Sequence, residues 1–242
     1  MNLTNGPRNG QYALQSDDAV RAYLKSCLDE PDACAIQRPN GTADSLYNEI
    51  VQLVEETKFQ PIILGNNASV GLIDHGSLKL AINDQVKTGM GAGTGSLLSL
   101  YLNAILERDW VTYQKILASL AAPAPKPPTF PNNGPEAPYG IQCPDTELRF
   151  DNLEDIQPLV DFVYNESYFA GTQTIPLMIF CLRWKMRSKE TFKGPFSNIK
   201  TKNPILFVSS PLDPATPMES ARNTSQGFEG SVILQQNGIG VS

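Results

Sequence analysis

Among the 242 residues, Asp213 is the one best placed for chemistry. It follows Ile205-Leu-Phe-Val-Ser-Ser-Pro-Leu212 and precedes Pro214-Ala-Thr-Pro217. The first run is apolar and β-forming, as suits a buried parallel strand. In open α/β sheets, functional groups sit just past the carboxyl ends of strands. An Asp delivered there into a Pro-stiffened turn can orient a catalytic base, or it can cap the turn or the helix that follows. Composition leaves both roles open. The single histidine, His75, stands beside Asp74 at an expected helix start and reads as a surface histidine rather than a base. Gly91-Ala-Gly-Thr-Gly-Ser96 lacks both the Lys of a phosphate loop and a preceding β-run, so it reads as a flexible loop. No G-x-S-x-G nucleophile elbow occurs. Asp145 and Glu147 read as solvated loop acids, and Trp184 as packing against a disulfide. Arg183, Lys185, Arg187 and Lys189 read as a solvated face.

Elements must hold Asp213 in place. Pro204–Ser209 is expected as a strand, Glu219–Gly227 as a helix and Ser231–Gln235 as a second, parallel strand: one βαβ unit. Two or three strands cannot cover their own faces and edges, so this part calls for more strands beside it. Upstream, Leu153–Tyr164 and Ile175–Arg187 are expected helices, and Tyr139–Cys143 a short strand. Residues 16–121 read as all-helical. Ser16 caps a helix to Leu28 with acidic Asp17 and Asp18 in its first turn, and a second helix runs from Asp44 to Glu56. Asp74 caps a third helix, and Leu97–Leu106 and Trp110–Leu120 form two more. Ala121–Pro138 is Pro-rich and reads as an extended connector.

The composition excludes several partners. A formal charge of -6 argues against nucleic acid, which needs a basic face. No apolar run of membrane-spanning length exists, so no membrane partner is expected. Met1–Gln15 is polar and Gly/Asn-rich, without the apolar core of a signal peptide. Five sequons, at Asn2, Asn40, Asn67, Asn165 and Asn223, nevertheless point outside the cell. The four cysteines, Cys27, Cys34, Cys143 and Cys181, show no metal-ligand spacing, and no metal or cofactor is expected. They are either free buried thiols or two disulfides. Cys27–Cys34 with Cys143–Cys181 is the preferred pairing, because oxidising export and glycosylation go together. A secreted chain without a leader suggests a missing N-terminal part.

The segment Asn203-Pro-Ile-Leu-Phe-Val-Ser-Ser-Pro-Leu-Asp-Pro-Ala-Thr-Pro217, with Ala221-Arg222 and Gly230-Ser-Val-Ile-Leu-Gln-Gln236, resembles the C-terminal part of tripeptidyl-aminopeptidase-like α/β-hydrolases. Ile141-Gln-Cys-Pro-Asp145, Cys181-Leu-Arg-Trp184 and the Cys27–Ile36 stretch resemble the family more loosely. The resemblance implies an α/β fold: a mainly helical cap over residues 1–128 and the last strands and helices of the hydrolase core over 129–242. It implies a secreted serine exopeptidase releasing short peptides from free N-termini, with Asp213 as the acid of a Ser-Asp-His triad. The family's base follows the final strand in a Gly-His-Cys sequence. Here Gly240-Val241-Ser242 occurs, and valine cannot transfer a proton. The expected function is therefore the C-terminal portion of such an enzyme, inactive as written. Peptide substrate would be its partner only with a completing N-terminal part. The alternative is a non-catalytic secreted pseudo-hydrolase that binds peptides or a protein partner.

Overall fold

A computed structural model of the chain describes residues 14–36, 38, 40–64, 71–88, 94–120, 137–145, 149–190 and 197–241. The chain divides into two compact units, one of residues 18–131 and one of residues 1–17 with 132–242.

The 18–131 unit is built from helices whose apolar residues recur every three or four positions, so each turns one stripe inward. They are α1 (Ser16–Asp29, which begins in the other unit), α2 (Ala43–Phe59), α3 (His75–Lys87), α4 (Thr94–Leu106) and α5 (Trp110–Leu120). Leu24, Ile50, Leu78, Ile82, Leu98, Leu102 and Ile105 are almost wholly buried. Each such side chain contributes about 1.5–3 kcal/mol relative to exposure. Reciprocal capping boxes start two of the helices. Thr42 and Ser45 exchange side-chain and backbone hydrogen bonds at α2, as do Asp74 and Ser77 at α3. Asp109 starts α5 by accepting from the Thr112 N–H (3.1 Å) and hydroxyl (2.6 Å).

This unit departs from the all-helical expectation in one place. Ile62–Leu64 (β1) and Gly71–Ile73 (β2) pair antiparallel between α2 and α3. Three-residue strands are too short for a period-two pattern to stand out from the flanking helical stripes. Two smaller corrections concern helix starts. Ser16 is the first residue of α1 rather than its cap, and its hydroxyl makes no hydrogen bond among the described residues. Thr94, Gly95 and Ser96 belong to the first turn of α4 and not to a loop, while Gly91–Gly93 lie outside the described residues.

In the second unit, α6 (Ala137–Asp145), a 3-10 turn (Leu153–Ile156), α7 (Gln157–Glu166) and α8 (Gly171–Leu182) precede β3 (Leu206–Ser209), α9 (Met218–Ser225) and β4 (Val232–Gln235). The strand expected at Tyr139–Cys143 is thus the helix α6; Cys143, fully buried, is tied by a disulfide to Cys181 of α8. Tyr139 and Cys143, four residues apart, share a face in helix and strand alike, and here both meet α8, Tyr139 through the Phe180 ring (4.6 Å between rings) and Cys143 through the disulfide. α8 stops at Leu182, not Arg187. From Arg183 onward, alternating basic residues have no apolar partners to hold further turns, and Arg183, Lys185, Arg187 and Lys189 are exposed. Ile156, Val163, Ala170, Met178 and Leu182 form the core here. Gly171 starts α8 against the Tyr164 ring, where a Cβ would lie 2.7 Å from Cε1.

The connector 121–136 lies outside the described residues. The expected βαβ unit is present: β3 and β4 pair in parallel, Leu206 beside Val232 through Ser209 beside Gln235, with α9 between them in sequence and packed on both. No helix among the described residues is long and apolar enough to cross a membrane.

Candidate functional site

β3 delivers Asp213 four residues past its end. Ser210 Oγ donates to Gly238 C=O (2.6 Å), and Gly240 N–H donates to Leu212 C=O (3.0 Å). These bonds, with the parallel bridge between Leu212 and Ile239, stitch the loop after β3 to the loop after β4. Gly240 has φ +100°, a conformation that side-chain-bearing residues avoid, which accounts for glycine at this junction. Asp213 and Val241 each follow one residue after the Leu212–Gly240 pair, so they stand on adjoining segments.

The Asp213 carboxylate is fully buried. Its Oδ1 accepts from the N–H groups of Ala215 (2.8 Å) and Thr216 (2.7 Å), and its Oδ2 accepts from the Thr216 hydroxyl (2.6 Å). A carboxylate offers about four lone-pair sites, and among the described residues three donors engage it, two on Oδ1 and one on Oδ2. Three short local donors offset the desolvation of this buried group. Chemically, the arrangement caps the Pro214–Pro217 turn. The residue supplied by the adjoining segment is Val241, half exposed and without a proton to give or take.

The other candidates are dispersed. His75 is the first residue of α3, with Nε2 3.2 Å from Glu55 Oε1 within the helical unit. Asp145 ends α6, and Glu147 lies outside the described residues. Trp184 is half-buried; its carbonyl accepts from Arg149 Nε (2.9 Å), and its indole N–H has no partner among the described residues. Both expected disulfides, Cys27–Cys34 and Cys143–Cys181, are formed, which is compatible with an oxidising compartment. Of the sequons, Asn40 and Asn165 are exposed and Asn223 is half-buried, while Asn2 and Asn67 lie outside the described residues.

Three residues matter here that the sequence did not mark. Thr216 holds Asp213. Gln15 Oε1 accepts from Met218 N–H (3.3 Å) and so caps α9, a service that Pro217 at its N-cap does not supply. Asp17 does more than favour its own helix start. Its carboxylate accepts from the Ser167 hydroxyl (2.8 Å) and from the N–H groups of Tyr168 (2.8 Å) and Phe169 (3.2 Å). Thr216 was findable, because a hydroxyl three residues after an Asp is a common turn partner. Gln15 and Asp17 act across 150 residues or more, a separation at which local pattern carries no signal.

Comparison with curated proteins found no match, nor did comparison with solved structures. The family model described as TAP-like protein, of the α/β-hydrolases, matches residues 166–242. That span includes α8, β3, Asp213, α9, β4 and the Gly240 junction. The chain's C-terminal region, residues 166–242, is thus similar to the TAP-like family of α/β-hydrolases.

Proposed function

We propose that this chain is the C-terminal portion of a secreted, glycosylated serine hydrolase of the aminopeptidase type. Its helical residues up to 128 would serve as the cap and residues 129–242 as the last part of the core. The observation that carries the reading is Asp213: a buried carboxylate just past the carboxyl end of a parallel strand, inside the TAP-like match. In the complete enzyme a serine would attack the peptide carbonyl and a histidine would move its proton. Asp213 would fix that imidazole and stabilise its cation. Neither partner is supplied by the described loops, so the chain as written carries out no triad hydrolysis.

The β3–β4 pair supports membership of a larger sheet. Its register puts Leu206, Val208, Val232 and Leu234 on one face, and all four are about half exposed. Parallel sheets are ordinarily covered on both faces.

Val241 favours a second reading, a non-catalytic secreted pseudo-hydrolase that binds peptides or a protein partner. The Asp213 turn stands without a base in either case. Sequencing the full-length transcript separates the two. An in-frame G-x-S-x-G elbow upstream, with a histidine codon after Gly240, supports the hydrolase. A mature message with neither overturns it and leaves the binding protein.

A further inference from the structure

The dipeptide Asn-Gly occurs at residues 5–6, 9–10, 40–41, 133–134 and 237–238. It leaves an Asn side-chain amide poorly protected, because glycine has no Cβ to shield its nitrogen from the neighbouring amide carbon. The pairs at 40–41 and 237–238 lie among the described residues, and their surroundings differ. Asn40 and Asn237 are both exposed. Gly41 N–H is held by Arg38 C=O (2.9 Å), Asn40 is fixed at φ +60°, and a Cβ on Gly41 would lie 3.0 Å from the Arg38 carbonyl oxygen. Gly238 N–H makes no hydrogen bond among the described residues, and a Cβ there would meet nothing within 4 Å. Gln235 Nε2 donates to Asn237 Oδ1 (2.8 Å), which draws charge from the amide carbon and leaves Nδ2 as the group to depart.

Asn237 also opens the segment stitched to the Asp213 loop. Gly238 C=O accepts from Ser210 Oγ (2.6 Å), Ile239 bridges Leu212, and Gly240 N–H donates to Leu212 C=O (3.0 Å). We propose that Asn237 deamidates spontaneously in the folded chain and that the isoaspartate formed loosens this junction. The Gly238 nitrogen, its proton taken by solvent hydroxide, bonds to Asn237 Cγ. The Cγ–Nδ2 bond breaks and ammonia leaves, closing a cyclic imide. Water then opens the imide, at Cγ to give aspartate or at the main-chain carbonyl to give isoaspartate. Water enters and ammonia departs, nothing is oxidised or reduced, and a neutral amide becomes a carboxylate. In isoaspartate the main chain runs through Cβ and Cγ, longer by one C–C bond of about 1.5 Å. That extra bond falls just before the contacts of Gly238, Ile239 and Gly240, all of which depend on register. The inference does not rest on the hydrolase reading.

Incubating the purified full chain at mildly alkaline pH and mapping its peptides by mass spectrometry tests this, with fragmentation that separates isoaspartate from aspartate. The Asn237 peptide should convert about fivefold faster than the Asn40 peptide, the order expected where one N–H must first break a hydrogen bond. In denaturing urea the two rates should converge, because the fold no longer separates the sites. Gly238→Ala, whose methyl has room, should suppress conversion at Asn237 and leave Asn40 unchanged. Ageing should lower the urea midpoint of the parent chain but not that of Gly238→Ala aged in parallel, which undergoes the same changes elsewhere. Fresh Asn237→Asp, with the charge but not the longer main chain, should keep the parent midpoint. Equal or slower conversion at Asn237 in the folded chain, or a rate difference that persists in urea, would overturn the proposed site. An unchanged midpoint on ageing, or an equal loss in fresh Asn237→Asp, would overturn the loosening. The comparison of Asn237 with Asn40 uses the unaltered chain, so no variant's folding decides it.

Discussion

The helices of residues 18–131 and the strand pair β3–β4 solve the burial problem to different degrees. In the helical unit, apolar stripes from α1 to α5 converge, and residues such as Leu24, Leu78 and Ile82 are sealed from water. In the strand pair, α9 lies against the strands and the Phe207 ring approaches Phe228 (6.0 Å). The face bearing Leu206, Val208, Val232 and Leu234 stays open. A helix satisfies its backbone internally and needs only a stripe covered, whereas a parallel strand needs neighbours at both edges and layers on both faces. The contrast teaches that the two regions should respond differently to the same kind of substitution.

The largest difference should appear on truncating apolar side chains. Ile82→Ala in α3 is expected to cost about 2–5 kcal/mol, because it removes buried methyls and leaves a cavity. Val208→Thr with Leu234→Thr should change stability by no more than about 0.5 kcal/mol and reduce self-association, since these groups already meet solvent. Urea denaturation and light scattering read both. Equal costs in the two regions would break the comparison.

Next in size is an alkaline effect confined to the helical unit. Burial pushes the Tyr23 phenol from 10.0 up to about 12, against the opposing hydrogen bond to Ser99. The folded state therefore holds this proton more tightly than the unfolded chain does. The resulting stability is fully present below pH 10 and is lost as pH rises from 10 towards 12, by roughly 2–3 kcal/mol. Burial likewise raises Tyr101 and Tyr113. Unfolding followed against pH should show a steep loss in that window, and Tyr23→Phe should flatten it. An unchanged slope in that variant would contradict the assignment.

Asp213→Asn should cost about 1–3 kcal/mol, because the buried turn N–H groups then face a weaker acceptor. Asp74→Ala should cost about 1 kcal/mol through loss of the α3 cap. The smallest expected effect is acidic. Hydrogen bonds from Ser77 hold Asp74 below its ordinary 3.8, and hydrogen bonds from Thr112 do the same for Asp109. Their stabilisation is present above pH 3.8 and fades as pH falls below it. Acid titration of Asp74→Asn should show a shallower loss than the parent chain.

Much of this was legible in the sequence where a periodic stripe met a cap. Asp74 before Leu78 and Ile82 marked α3, and the apolar run 204–209 marked β3 with its partner strand. The hairpin β1–β2 was hidden because its strands are three residues long, and α6 because five residues cannot distinguish helical from strand period. The Asp213 turn could be placed, and its two possible roles named, from strand, Pro and Asp alone. The clamp at Asp17 and the cap from Gln15 could not, since chain folding brings together residues that no local pattern relates.

The most direct test of the account is covalent labelling of the purified full chain with a fluorophosphonate probe. With no elbow serine in the sequence and Val241 beside the Asp213 turn, no labelling is expected. Stoichiometric labelling that a peptide substrate blocks would show an activated nucleophile in this chain and contradict the account.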